Sequence, residues 1–188
     1  VKIDSLTGCL AQVTDKQNNT DVLDKTSSGN LIQIMDDFGD SEGFLNSPEG
    51  KREFNRWTGK PDELRNFEEF EVVEKGPVRT IVQIKRKYRM ARFTQQICLY
   101  SGLNRVDFGL NIDWNGKNKM VKISFPMSVQ NDSATYEIPY GTIKRPSLGE
   151  EQAAQKWVDI SGRNYGVSLL NESRYGFDIT KNTIRMSV

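Results

Sequence analysis

Apolar and polar residues alternate with a period of two along much of this chain. Between residues 105 and 114 every second position is apolar, and most of the positions between them are polar. Residues 93–99 and 121–129 repeat the pattern. Because successive side chains of a β-strand point to opposite faces of the sheet, each segment is predicted to be a strand with one buried face.

The alternation also predicts which side chains form the core. The predicted core includes Val106, Phe108, Leu110, Ile112, Ile123, Phe125 and Val167. If Phe108 is fully buried, its replacement by Ala should cost roughly 3–5 kcal/mol of stability. Pro126 lies among the outward positions of its segment, which indicates an edge or a bulge because proline cannot donate a ladder hydrogen bond.

Glycine and asparagine punctuate these segments. Residues 115–118, Asn-Gly-Lys-Asn, have the composition of a hairpin turn. Further strands are predicted at residues 9–13, 31–35, 70–74 and 78–84. No window of ten or more residues has a helical apolar face, although residues 150–156 could form one or two helical turns. The chain is therefore predicted to be all-β, an antiparallel β-sandwich.

Residues 36–66 depart from this pattern, because they are polar and rich in glycine. They are predicted to be one long loop or insertion within a single domain that spans residues 1–188. Disorder is disfavoured by the aromatic residues Phe44, Phe54 and Trp57 within the segment and by Phe67 directly after it. Its acidic run comprises Asp36, Asp37, Asp40 and Glu42. That run lacks the alternating spacing of a calcium loop, so a solvated loop is the favoured interpretation.

Composition removes several classes of function. The formal net charge is +1, which gives no electrostatic reason to expect a nucleic-acid or membrane partner. The basic stretch at residues 85–92 is interpreted as the link between two strands. No apolar run reaches the length of a membrane span and no signal-peptide pattern is present, so a cytoplasmic location is expected. The start at Val1 and the apolar last residues favour a piece of a longer chain.

The chain contains no histidine and two cysteines. Ser-His-Asp and Cys-His catalysis and a histidine-ligated or cysteine-ligated zinc site are therefore excluded within it. Cys9 and Cys98 are more simply two reduced core thiols than a disulfide. The residues by themselves indicate a non-catalytic β-sandwich with a long loop.

Two stretches carry a more specific resemblance. They read FPMSVQNDSATYEIPYGTIKRP from residue 125 and KWVDISGRNYGVSLLNESRYGFDI from residue 156. They resemble the β-sandwich region of family 38 glycoside hydrolases, the α-mannosidases. The resemblance is carried by the elements Phe-Pro, Tyr-Glu-Ile, Gly, Arg-Pro and Trp-x-Asp, followed by Tyr-Gly-Val-x-Leu-Leu-Asn-x-Ser-x-Tyr-Gly. Weaker matches begin at Gly29, Gly76 and Asp113. Members of the family tend to have His at the positions occupied here by Ser147 and Lys156, and a different sequence at residues 40–46.

The resemblance implies a supersandwich-like, galactose-mutarotase-like fold and a place in a larger enzyme. Such enzymes are zinc-dependent retaining α-mannosidases, and their zinc ligands and nucleophile lie in an N-terminal α/β domain and an adjoining helical bundle. These domains of the same chain, and a mannose-containing glycan, are the implied partners. No catalytic residue and no cofactor is expected in residues 1–188, so the isolated chain should neither hydrolyse aryl α-mannosides nor bind zinc.

Two residues are candidates for the wall of the substrate cleft. Pro146 favours an extended backbone at Arg145, which would present the guanidinium of Arg145 at a strand end with Tyr140 beside it. Gly141 is predicted to form the corner between them. An Arg145 salt bridge within the sandwich or across a domain interface is an equal alternative. At the level of the whole chain, the alternatives are an independent carbohydrate-binding or protein-interaction module and, less favoured because it lacks His, a sugar epimerase.

Overall fold

The computed structural model describes residues 1–37 and 58–188. The described residues form β-strands and no helix, and so no helix suited to span a membrane. The strands are β1 (Lys2–Ile3), β2 (Leu10–Gln12), β3 (Thr14–Asp15), β4 (Thr20–Asp21), β5 (Leu31–Asp36), β6 (Thr58–Glu63), β7 (Glu69–Lys75), β8 (Arg79–Tyr88), β9 (Ala91–Tyr100), β10 (Val106–Asp113), β11 (Lys119–Pro126), β12 (Ser133–Ile138), β13 (Gly141–Pro146), β14 (Gln152–Ala153), β15 (Trp157–Ser161), β16 (Gly166–Leu170), β17 (Gly176–Thr180) and β18 (Thr183–Ser187).

Three antiparallel sheets form the body of the domain. The central sheet has the order β14-β17-β18-β11-β5-β6, and two four-stranded sheets have the orders β10-β9-β8-β7 and β13-β12-β15-β16. Two short pairs, β1 with β2 and β3 with β4, complete the described part. The predicted all-β, antiparallel class is confirmed.

The middle of the six-stranded sheet is covered on both faces. Consecutive residues 31–35 of β5 are buried, as are residues 121–126 of β11. A strand that faced water on one side would instead alternate between buried and exposed positions. On one face Phe125 packs against Phe108 of β10, with ring centroids 5.2 Å apart. The buried core cluster draws side chains from all three sheets.

The hairpin predicted at residues 115–118 is wrong. β10 pairs with β9, whereas β11 pairs with β5 and β18, so the turn carries the chain from one sheet to another. Turn composition reports a reversal of the chain but not which strands pair after it, because pairing depends on contacts distant in sequence.

The predicted burial of Phe108 is also wrong. Its side chain points toward the core, but 36% of it is exposed, because β10 is the last strand of its sheet. Ile123 and Phe125 are buried as predicted. The other four predicted core residues, Val106, Leu110, Ile112 and Val167, are partly buried against the core.

Four smaller predictions are corrected. Pro126 ends a central strand instead of marking an edge or bulge, and it is buried there. Residues 150–156 contain β14 and no helical turn. Most of residues 85–92 belongs to β8 and β9, so the connection is confined to Arg89-Met90. Within residues 36–66, Thr58–Glu63 form β6, an edge strand of the six-stranded sheet.

Several features of the predicted insertion lie outside the described residues. They are Asp40, Glu42, Phe44, Phe54 and Trp57, together with the departure from the family pattern at residues 40–46. Asp36 of the acidic run forms an ion pair with Lys119. Both cysteines are free thiols, with Cys9 buried and Cys98 half-buried.

Candidate functional site

An open pocket of about 650 Å³ lies where β12 and β13 meet β14 and the segment that follows it. It combines charged side chains with an aromatic ring and small apolar groups, a composition suited to a polar organic ligand or to a polar surface of another domain. The lining residues are Glu137, Ile138, Pro139, Arg145, Ala153, Ala154, Gln155, Lys156 and Tyr175.

Arg145, one of the two predicted site residues, lines this pocket. One of its terminal nitrogens, Nη1, donates a hydrogen bond to the backbone carbonyl of Ala153 at 2.7 Å. Its guanidinium lies 5.0 Å from the centroid of the Tyr136 ring, within the range of a cation–π contact. Among the described residues no carboxylate forms a salt bridge with Arg145, so the predicted alternative of a salt bridge inside the sandwich is not found there.

The side chain beneath Arg145 sits in an environment that opposes negative charge. Tyr136 is 1% exposed, and burial raises the pKa of its phenol to about 12. This value of the pKa is the net result of burial, of the positive charge of Arg145, which lowers it, and of the carboxylates of Asp178 and Glu151, which raise it. The phenol therefore stays protonated, and the ring in contact with Arg145 is uncharged at every physiological pH.

Tyr140, the second predicted site residue, lies at the tip of the β12–β13 hairpin. The register Ile138↔Gly141 leaves Pro139-Tyr140 as a two-residue turn, and Tyr140 has a φ of 63°. Its side chain is fully exposed. Tyr140 stands five residues before Arg145, about 16 Å away along an extended strand. The structure therefore does not place the two side chains beside each other.

The glycine in this corner has a different role from the one predicted. A Cβ built on Gly141 would meet no atom within 4 Å, and the left-handed backbone belongs to Tyr140. The strain at this corner is thus carried by a tyrosine, a residue that rarely adopts positive φ. The sequence located the corner correctly but assigned its constraint to the wrong residue.

Hydrogen bonds hold the far wall of the pocket. The carboxylate of Glu137 accepts a hydrogen bond from the backbone N–H of Lys156 at 2.6 Å, and the ammonium of Lys156 donates to the carbonyl of Glu172. The backbone N–H of Ala154 donates to the carbonyl of Tyr175 at 2.9 Å. These bonds fix the connection around β14 between the two walls of the pocket.

Close packing explains the glycine that follows Tyr175. A Cβ on Gly176 would lie 2.4 Å from Oε1 of Glu151 and 3.2 Å from Cβ of Ser187. Any larger residue would push Glu151 away from its partners. The glycine of the Tyr-Gly pair at residues 175–176, which belongs to the family resemblance, is therefore required by close packing.

A network of ion pairs in the central sheet lies close to Tyr136. Lys122, whose side chain has no exposed surface, pairs with Asp178 at 2.5 Å and with Glu151. Asp178 is also held by Nε of Arg185 at 2.5 Å. Because Glu151 and Ala153 belong to one short connection, this network anchors the segment whose carbonyl holds Arg145.

The sequence did not predict Glu137, Lys156 or Tyr175 as cleft residues, although they line the pocket together with Arg145. Glu137 and Tyr175 occur within the stretches that carry the resemblance, and Lys156 is one of the two positions where the sequence departs from the family. The other, Ser147, is buried outside the pocket lining. Their occurrence in the family motifs was the one sequence feature that could have identified these pocket residues, but the motifs do not indicate which of their residues meet in space.

The part of the chain that the structure describes does not fit a zinc site. It has no histidine, and the described residues contain no cluster of three or more Cys, Asp or Glu side chains placed to hold a metal ion. No step of a reaction is therefore assigned to a metal bound by this domain.

The amino-acid sequence matches a known protein family and several of its members. The model of the family described as the C-terminal domain of family 38 glycosyl hydrolases matches residues 1–188. Alpha-mannosidase G of Dictyostelium discoideum is 29% identical over 130 residues, covering 62% of this chain and 12% of the relative. An alpha-mannosidase of Saccharomyces cerevisiae is 32% identical over 127 residues, covering 61% of this chain and 12% of the relative.

The fold has a close counterpart among solved structures. The crystal structure of an alpha-mannosidase from Enterococcus faecalis V583 superposes with a TM-score of 0.79 at 16% sequence identity. The match covers 98% of this chain and 24% of that one. At this level of identity the likeness establishes the fold, and the chain spans a small part of each protein it matches.

Proposed function

The chain belongs to the family 38 glycosyl hydrolases through their C-terminal domain, and from this membership we propose that it is a non-catalytic β-sandwich domain of an α-mannosidase. The complete enzyme would hydrolyse α-mannosides in a mannose-containing glycan. The observation that carries the proposal is the family match over all 188 residues, together with relatives named as alpha-mannosidases of which the chain spans 12%.

In this proposal the catalytic groups lie outside residues 1–188. A zinc-dependent, retaining mechanism is the one implied by the resemblance, and the residues of this chain do not fit the metal. The zinc ligands and the nucleophile would be held by an N-terminal α/β domain and helical bundle of the same polypeptide. The role left to this domain is to support that part and to line its cleft.

Arg145 is the residue through which the domain would contact the cleft. Its guanidinium is held from below by Tyr136 and from one side by the carbonyl of Ala153. Among the described residues no carboxylate neutralises it, so N–H donors remain available toward the open pocket. A planar fork of this kind suits a carboxylate or two neighbouring sugar hydroxyls. It would orient an active-site carboxylate or a substrate hydroxyl.

Replacement of Arg145 by Met in the complete enzyme tests this role. We expect kcat/KM on an aryl α-mannoside to fall by about 10- to 100-fold, since a charge-assisted hydrogen bond is lost. The melting temperature should change by less than about 3 °C, because the side chain makes a single hydrogen bond with the described residues. Arg92→Met, an exposed position on β9, is the matched control and should alter neither quantity.

The outcomes separate the two parts of the proposal. Lost stability with normal turnover per folded molecule would contradict the cleft role of Arg145 and leave the domain assignment intact. A complete wild-type protein that does not hydrolyse α-mannosides would contradict the assignment to an α-mannosidase.

A further inference from the structure

Strand β7 is an unusually exposed edge of the domain. In residues 1–37 and 58–188 its single neighbour is β8. Three of its apolar side chains are largely in solvent, with Phe70 38%, Val72 50% and Val73 42% exposed. Edge strands of soluble proteins are usually short, charged or covered, because unpaired backbone groups beside apolar side chains invite association. This edge combines those two features over seven residues.

Two of these side chains, Phe70 and Val72, lie on the face that forms the core elsewhere in the sheet. The register places Val72 in one row with Val82, Ile97 and Phe108. Val82 and Ile97, in the middle of the row, are buried, whereas both ends are exposed. The next row runs from Phe70 through Ile84 and Gln95 to Leu110 and also has a buried centre. The sheet therefore extends past the layer that covers its middle.

We propose that residues 69–72 of β7 are the docking surface for another segment of the same polypeptide, outside residues 1–188. The inference rests on the proposed function, in which this chain is one domain of a longer enzyme. The match to relatives that are several times longer supplies such a segment. It would place apolar side chains over Phe70 and Val72 and pair with the open backbone edge, as in strand addition.

Regular pairing confines the surface to the first part of the strand. From Glu69 to Val72 the ladder with β8 is continuous, and it is interrupted by a bulge between Val72 and Glu74. A bulge twists an edge away from a straight partner. The segment that docks would therefore cover about four residues and end at the bulge.

Charge argues against a second copy of this chain as the occupant. β7 contains Glu69, Glu71 and Glu74 beside its apolar residues. Glu69 and Glu74 already form salt bridges with Lys85 and Arg79. In a twofold antiparallel pairing of two β7 strands that keeps Phe70 and Val72 on one face, Glu71 would stand opposite Glu71 or Glu69 of the second copy. Like charges in such a position are destabilising. A segment with neutral or basic residues at its flanks fits this edge better.

Hydrogen exchange in the complete enzyme, followed by mass spectrometry, tests the proposal. We expect the backbone amides of residues 69–72 to exchange at least about tenfold more slowly in the complete enzyme than in its Val72→Asp variant, because the aspartate removes the apolar contact. Val78→Asp, the same change at an exposed valine in the turn after β7, is the matched control and should leave the exchange of residues 69–72 unchanged. Circular dichroism of each variant establishes that the sheets are intact.

Three results would overturn the proposal. The first is exchange at 69–72 in the wild-type complete enzyme as fast as that of an unstructured peptide. The second is equal exchange in the wild type and in a folded Val72→Asp variant. The third is protection that disappears on dilution, since this would assign the edge to a second copy. Turnover of an aryl α-mannoside by the same sample is measured independently, so a failure of the proposed function is recognised separately.

Discussion

Tyr136 links the core of the domain to its candidate site. Its ring supports the guanidinium of Arg145, and its phenol lies within the electrostatic influence of Asp178 and Glu151. A buried aromatic residue in this position stiffens the base of the pocket, because the ring can be neither withdrawn nor ionised without disturbing the sheet. The geometry of Arg145 thus depends on a residue that would itself never touch a ligand.

The raised pKa of Tyr136 predicts a loss of stability at high pH. An unfolded tyrosine ionises near pH 10, whereas burial raises the pKa of Tyr136 to about 12. The folded state therefore favours the protonated phenol, and this contribution is complete below pH 10 and lost as the pH rises to 12. It amounts to about 2–3 kcal/mol. Urea unfolding at several pH values should show a steeper loss for wild type than for Tyr136→Phe, and equal slopes would contradict the shift.

Tyr140 is a second residue whose local geometry is unfavourable. Its positive φ and its full exposure both cost free energy relative to an ordinary turn residue. The pairing of β12 with β13 and the preceding Pro139 hold it in place. The backbone at the hairpin tip is thus held in place while the Tyr140 ring extends into solvent, and the place of this ring relative to a substrate cleft stays a prediction.

At the scale of the strand, position within a sheet decides how much of an inward-facing side chain is buried. Phe93 on β9 and Phe108 on β10 belong to the same sheet and the same face. Phe93 has no exposed surface, whereas 36% of Phe108 is exposed, because β9 has a neighbour on each side and β10 ends the sheet.

This difference predicts unequal effects of the same substitution. Phe93→Ala should lower the free energy of unfolding by about 3–5 kcal/mol, the range for a buried phenylalanine. Phe108→Ala should lower it by about 1–2 kcal/mol, because less apolar area is returned to water. Urea unfolding of both variants measures the difference. Equal losses would show that another part of the protein covers β10.

Apolar packing and a network of charges around the buried Lys122 hold the domain together. Lys122, Asp178, Glu151 and Arg185 connect β11, β17 and β18 to the connection that contains β14. Buried ions contribute little net stability, but removing one member leaves the others without compensation. The network therefore makes the position of β14, and with it the pocket, sensitive to a single charge.

Lys122→Met tests this dependence. The substitution removes the cation paired with Glu151 and one of the two cations paired with Asp178, and we expect the free energy of unfolding to fall by roughly 3–5 kcal/mol. Lys144→Met, at an exposed position of β13, should change it by less than about 0.5 kcal/mol. A melting curve for Lys122→Met that coincides with the wild-type curve would contradict this account.

The sequence by itself determined the class of the fold and most of the longer strands. This was possible because the pleat of a strand imposes a period of two on any segment with one wet face, and because residues 93–99 and 106–112 follow it closely. The family was also accessible, since residues 165–176 preserve a long and specific order of residue types. For the candidate site, the sequence located Arg145 and the corner at Tyr140.

Tertiary structure alone decided which strands became neighbours and which residues met. β10 and β11 are adjacent in the chain but lie in different sheets, since a turn constrains a few residues whereas pairing is chosen by contacts across the whole domain. The alternation of apolar and polar residues also does not show how far one sheet extends over another. Phe108 and Val72 are exposed because they lie on the edge strands of their sheet, beyond the part that is covered. The pocket joins Glu137, Arg145, Lys156 and Tyr175 for the same reason. Their proximity is created by packing between sheets, and nothing in their local sequence encodes it.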